Sequence, residues 1–424
     1  VGPEQIPFTL YQSASGKNGH QVYFIGADQY FDRDGLYGTA KGDYEDSASR
    51  FIFFSRACLM AAQILKKPVD IWHCHDWQSA LIPIYLKLQM RSLEFFKKSA
   101  TVFTIHNIAY QGLFWHWDYP LLNLAWQHYN WKELEFHGKM NLLKGALVHS
   151  DLLATVSPTY AREIQTAEYG FGLDGVLRDR QSDLVGIVNG IDTAAWNPRT
   201  DLLLPATYHA DDLSGKKTCR SVLRKKMNLP DDGSAVIGMI GRLFEQKGFD
   251  LVAQGMEELL KRNVQIVILG TGREEYHRLL QRVQEINPNR IAVAFAFDNA
   301  LAHLIEAGSD MFLMPSRYEP CGLNQLYSLA YGTPPIVHNV GGLADTVTDT
   351  NPNTIGEGKA TGFKFDQYSA PAMLSAIDRA LHIFSKEPEL WRRIQTAGMR
   401  QDWSWSNSAR QYVEAYTRAA QKRA

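Results

Sequence analysis

The stretch "PSRYEPCGLNQLYSLAYGTPPIV", residues 315–337, sets one carboxylate, Glu319, between a polar turn and an apolar segment of helical spacing. Leu323, Leu326 and Ala330 are expected to face a core, and Gly332 with two prolines should end the helix. A Glu at that point can cap a helix start. It can equally meet a ligand. Upstream, "GRLFEQKG" places Arg242 and Lys247 five residues apart after an apolar run. Two cations beside a helix start form an anion site, because unpaired N–H groups and the helix dipole favour phosphate; the plain alternative is a solvated loop. Glycines follow two further apolar runs, as "GTG" and as Gly341–Gly342 in "GGLADT". They permit close backbone approach. Three glycine-bearing strand ends in one half of the chain point to a nucleotide diphosphate.

The first half carries different chemistry. "WHCHDW" delivers His73, His75 and Asp76, "TIHN" delivers His106 and Asn107, and "IVNGID" delivers Asn189. Imidazole, amide and carboxylate groups suit a polyhydroxylated ligand. A metal would need further ligands that the spacing does not identify, and a His paired to backbone is the bland reading. The aromatic run "YQGLFWHWDYPLLNLAWQHYNW" fits stacking on sugar faces or a packed lid.

These groups need a frame. Short β-branched runs, among them "PVDIWHC", "ATVFTIH", "DLLATVS", "AVIGMIG", "VQIVILG" and "DMFLMPS", alternate with helical patterns such as Phe51, Phe54, Cys58, Ala61, Leu65 and Leu251, Val252, Met256, Leu259, Leu260. This βαβα series predicts an α/β protein of doubly wound parallel sheets, whose chemistry sits at the carboxyl ends of the strands. A turn-rich region near 190–225 predicts two Rossmann-like domains, 1–195 and 196–404, with a cleft between them. A final helix, 405–424, returns to the first, capped by Ser406 or Asn407 and striped by Ala409, Tyr412, Val413 and Tyr416. The 424 residues suffice for two cores. Against 44 Lys and Arg stand 45 Asp and Glu, so no global field recruits nucleic acid or an anionic membrane. The four cysteines lack disulfide or zinc spacing, and no apolar run is long enough to span a bilayer.

The order and approximate spacing of "HCHDWQSAL", "FTIHNIAYQG", "IVNGID", "GRLFEQKG", "SRYEPCGL…YGT" and "GGLADT" resemble those of bacterial glycogen synthases and plant or cyanobacterial starch synthases over essentially the whole chain. The resemblance implies the GT-B architecture and glucosyl transfer from ADP-glucose, or UDP-glucose, to an α-1,4-glucan with retention of configuration. It implies no cofactor, no catalytic metal, no nucleic-acid or membrane partner, and a bacterial cytoplasm or plastid stroma. Carried over residue by residue, it assigns Arg242 and Lys247 to the donor diphosphate, and Glu319 and His106 to the donor glucose and reacting centre. Backbone groups of Cys321, Gly322, Leu323, Gly341 and Gly342 would hold the donor, while Asp76, Asn107 and Asn189 would face sugar and acceptor. Two departures stand out. Tyr327 occupies the position eight residues after Glu319 where broader relatives hold ribose with a second Glu. The Lys-Thr-Gly-Gly loop and leading strands of the family's first domain have no counterpart in the sequence, which leads to the expectation of an N-terminally incomplete domain. A second reading follows from that gap, namely an inactive or regulatory glucan-binding fragment. A phosphorylase on the same architecture would need a Schiff-base lysine that no motif suggests.

Overall fold

A computed structural model describes residues 1–13, 19–39 and 42–423. The chain divides into two compact units, the first comprising Val1–Val156, Ala161–Gly186 and Gln411–Ala424, the second Ser157–Tyr160 and Ile187–Arg410. The units therefore change over at Gly186/Ile187 and again after Arg410, in place of the expected 195 and 405.

The second unit is a six-stranded, wholly parallel sheet. Its strand order is Ile291–Ala294, Val264–Leu269, Ala235–Ile240, Met311–Met314, Pro335–His338, Phe363–Phe365. Every residue of Val264–Leu269 and Met311–Met314 is buried, which is why these strands read as unbroken apolar runs rather than alternating ones. The helix Phe249–Leu260 buries Leu251, Val252, Met256 and Leu259 on one stripe, as the spacing predicted.

The first unit holds a four-stranded parallel sheet, ordered Leu184–Gly186, Leu152–Thr155, Ala100–Ile105, Ile71–His75. An antiparallel lobe of Leu113–Trp115, Lys139–Asn141 and Glu135–Phe136 follows the Ala100–Ile105 strand. Three helical expectations need correction. In Ser47–Ile64 the buried residues include Ile52, Phe53, Ala57, Leu59 and Ala62, while Phe51, Phe54 and Cys58 are only half-buried. This helix is covered on several sides, so no single stripe marks its core face. The last helix starts at Trp405, ahead of the expected caps, and buries Ser408, Tyr412, Ala415 and Ala419, leaving Ala409 and Val413 exposed. Leu323 is exposed because it precedes the helix Asn324–Ala330 rather than lying on its inner face.

Two buried titratable groups in the second unit make its stability respond to pH. The Lys216 ammonium donates to the Ala307 carbonyl at 2.9 Å and to Thr333 Oγ1 at 2.6 Å, closing the end of the helix Asn299–Gly308. Glu306, on the same helix, is fully buried and accepts from the Ser328 hydroxyl at 2.6 Å, while its Oε1 meets no hydrogen-bond donor among the described residues. Burial pushes its carboxyl from the usual 4.5 up to about 8. An acid whose folded value is raised binds a proton more readily when folded, so stability present below about 4.5 is lost as pH rises through about 8. Lys216 acts in a later window. Burial lowers it from 10.5 to about 8, so its deprotonation favours the folded chain only as pH climbs above 8. Urea unfolding midpoints should therefore fall between about pH 5 and pH 8, and Glu306→Gln should flatten that fall.

Candidate active site

The loop after Ala235–Ile240 builds the first part of the site. It closes as a 3-10 turn, Glu245–Lys247, followed by Gly248 at φ +79°. A side chain at Gly248 would place its Cβ 2.1 Å from the Pro315 carbonyl oxygen. Only glycine lets this loop pass so close to the exit of the Met311–Met314 strand. The approach delivers Lys247 to Glu319, with Nζ 2.6 Å from Oε2.

Glu319 is 5% exposed, and Ser316 Oγ donates to the same Oε2 at 3.0 Å. The peptide on either side is also fixed. The Ser316 carbonyl lies 2.8 Å from His338 Nδ1, the Arg317 N–H donates to the Gln246 carbonyl at 3.0 Å, and the Gln246 side chain reaches the Tyr318 carbonyl at 3.3 Å. Both strand-exit loops thus brace one carboxylate. Arg242, on the same side of the sheet, is exposed and packs its guanidinium over the Phe244 ring at 5.6 Å.

Beyond Glu319 the chain turns through Gly322, at φ +72°, into the helix Asn324–Ala330. Asn324 ties that helix start to the Ile240 carbonyl at 2.7 Å, so the turn lies at the carboxyl end of the central strand. Among the described residues no group accepts a hydrogen bond from the N–H of Cys321, Gly322 or Leu323. Gly342 donates to the Glu319 carbonyl at 3.0 Å, and a Cβ there would sit 2.0 Å from the Cys321 carbonyl oxygen. The "GGLADT" segment is therefore pressed backbone to backbone against the turn after Glu319. The Cys321 sulfur accepts from the Asn189 N–H, and burial pushes its thiol up to about 12, so it stays protonated and inert as a nucleophile. Asn189 Oδ1 is buried with no hydrogen-bond donor among the described residues. Arg242, Lys247, Glu319, Cys321, Gly322, Leu323, Gly341, Gly342 and Asn189 all lie in the second unit.

His106, Asn107 and Asp76 lie in the first unit, at the carboxyl ends of neighbouring parallel strands. Asp76 has φ +55°, a conformation few non-glycine residues adopt, and this turns its carboxylate toward the next strand's exit. There it accepts from the backbone N–H of His106 at 2.8 Å and from that of Asn107. Burial raises the carboxyl in spite of both bonds. Asn107 turns its Oδ1 to the Ala109 N–H at 3.0 Å, an Asx turn that shapes its own loop. Asp76 and Asn107 thus work first on the backbone that carries His106.

His73 is engaged at both ring nitrogens, by Thr104 Oγ1 at 2.7 Å and the Tyr416 hydroxyl at 2.8 Å, and burial drives it down to about 3. Its two partners hold it as a structural pin between strand and final helix. Sequence reasoning passed over Ser316, His338 and Asp345. Asp345 accepts from the Thr159 N–H and hydroxyl at 2.9 and 2.6 Å, and its place inside "GGLADT" was the available signal. Tyr327 stacks on Trp196 with ring centroids 3.7 Å apart, and Trp196 stacks on His303 at 3.8 Å. An aromatic sandwich therefore occupies the position of the second Glu.

The chain is similar to known proteins. Residues 2–179 match the starch synthase catalytic domain family, and residues 223–397 match glycosyl transferases group 1. The glycogen synthase of Koribacter versatilis is 50% identical over 96% of this chain and 83% of its own length. That of Rhodopirellula baltica is 46% identical over 94% of this chain and 79% of its own. The catalytic domain of starch synthase IV from Arabidopsis thaliana, solved with ADP and acarbose, superposes with a TM-score of 0.87 at 35% identity, covering 95% of this chain and 83% of that one. The α/β fold of two parallel-sheet units is GT-B, and the chain belongs to the glycogen and starch synthase family of glucosyltransferases.

Proposed function

We propose that the chain extends an α-1,4-glucan by transferring glucose from ADP-glucose with retention of configuration. The observation that carries this reading is the buried Glu319 carboxylate, 2.6 Å from Lys247 and flanked by a turn whose N–H groups and neighbouring glycines suit a diphosphate. In this reading Arg242 and Lys247 stabilise the charge that grows on the departing diphosphate, the largest electrostatic demand of the reaction. The C1–oxygen bond to phosphate breaks, and the acceptor hydroxyl bonds to C1 from the same face. Its proton passes to the leaving phosphate oxygen. Glu319 and His106 face the donor glucose, and Asn189 and Asp76 border sugar and acceptor. No side chain forms a covalent intermediate, and no cofactor or metal takes part.

ADP-glucose is favoured over UDP-glucose by kinship with bacterial glycogen synthases and by the ADP bound in the plant relative. The same bacterial kinship favours a cytoplasmic setting over a plastid. The chain incubated with ADP-glucose and a maltooligosaccharide should lengthen the acceptor and release ADP in equal amounts. Glucan binding without turnover would instead favour the glucan-binding remnant. Glu319→Gln, which keeps the side chain's shape, should lower kcat by roughly 10²–10³-fold in a chain that still folds. Gly342→Ala, whose Cβ would collide with the Cys321 carbonyl, should cost about 1–3 kcal/mol in urea unfolding and weaken ADP binding in the same variant.

A further inference from the structure

His75 ends the Ile71–His75 strand, and the residue is exposed, so little of the core rests on it. Yet its main chain is clamped. Ser79 Oγ accepts from the His75 N–H at 2.6 Å and lies 2.8 Å from the His75 carbonyl. Strand register sets His75 opposite Thr104, two residues before His106. Across that step His75 Nδ1 lies 3.0 Å from His106 Nε2, with ring centroids 5.2 Å apart.

Two facts limit what such a pair can be. Partial desolvation lowers the proton affinity of both rings, and the His106 ring further disfavours charge on His75. A hydrogen bond between two neutral imidazoles needs one N–H and one bare nitrogen, so the tautomer of one ring dictates that of the other. His106 is then held at two points. Asp76 takes its backbone N–H at 2.8 Å, and His75 takes its ring. The first fixes where the residue sits, and the second fixes the ring plane and ties the position of its proton to the tautomer of His75.

We propose that His75 is a positioning residue for the glucosyl transfer, locking His106 in one ring orientation and one tautomer so that its Nδ1 meets the donor sugar with a fixed hydrogen-bonding sense. The inference rests on the reading that His106 faces the donor glucose, but the lock itself is a property of the unliganded chain. His73 backs the arrangement, with its ring 4.1 Å from that of His75 and both of its nitrogens already engaged. It stops the His75 ring from turning inward, leaving His106 as the partner.

The test uses the whole chain with histidine labelled in ¹⁵N, the His106 signals being assigned by loss in His106→Ala. The side-chain spectrum should show His106 in a single tautomer. In His75→Ala that signature should give way to a mixture, while the thermal midpoint stays nearly unchanged because the residue is exposed. In the transfer assay His75→Ala should lower kcat by about tenfold with KM for the donor nearly constant, the loss expected for one hydrogen bond made in the transition state. His75→Asn, which can present an amide near the same place, should recover most of it. An unchanged His106 spectrum in His75→Ala would overturn the proposal. So would an equal kcat loss in the Ala and Asn variants accompanied by a lowered thermal midpoint. If the tautomer shifts and kcat does not, the lock stands and it is the placing of His106 against the donor that fails.

Discussion

A carboxylate taken out of water must be met by positive charge or hydrogen-bond donors, and Glu319 is met by both. Lys247 arrives from a loop 72 residues earlier in the chain, and Ser316 from the same strand exit. Both loops leave the carboxyl ends of adjacent strands, Ala235–Ile240 and Met311–Met314, so the ion pair exists because those strands are neighbours in the sheet. Gly248 and Gly342 follow from the same requirement, since each removes a Cβ that would hold two strand-exit segments apart. The second unit is thus arranged around bringing three loops to one charge.

The first unit solves a related problem with different means. Its exits are spaced by the same parallel register, but they carry imidazoles rather than a salt bridge. There the strained Asp76 spends its hydrogen-bonding capacity on the backbone of His106, and His75 spends its own on the ring. Strain at a non-glycine position, tolerated where neighbouring bonds over-determine it, is the usual mark of a site where orientation matters more than local comfort.

Much of this was legible in the residues. Parallel strands buried on both faces write themselves as continuous apolar runs, and the polar residues just after those runs gather at the carboxyl ends of the strands. What could not be read was partnership over distance. Nothing local to "FEQKG" says that Lys247 meets Glu319, and nothing local to "WHCH" says that His75 meets His106 while His73 meets Tyr416. Stripe reasoning failed for Ser47–Ile64 because a helix packed on several sides has no dominant face. It failed at Leu323 because a helix boundary shifted by one residue moves a side chain from core to solvent. The antiparallel pieces Leu113–Trp115 and Glu135–Phe136 went unnoticed because two or three residues carry no periodicity.

Lys247, held by Glu319 in the folded chain, is proposed to serve the donor's diphosphate as well. Calorimetric titration of ADP into the wild-type chain and into Lys247→Ala addresses it directly, with circular dichroism confirming that the variant is folded. ADP binding should weaken by roughly tenfold or more when the ammonium is removed. An ADP affinity equal to that of the wild-type chain, in a folded Lys247→Ala variant, would contradict it.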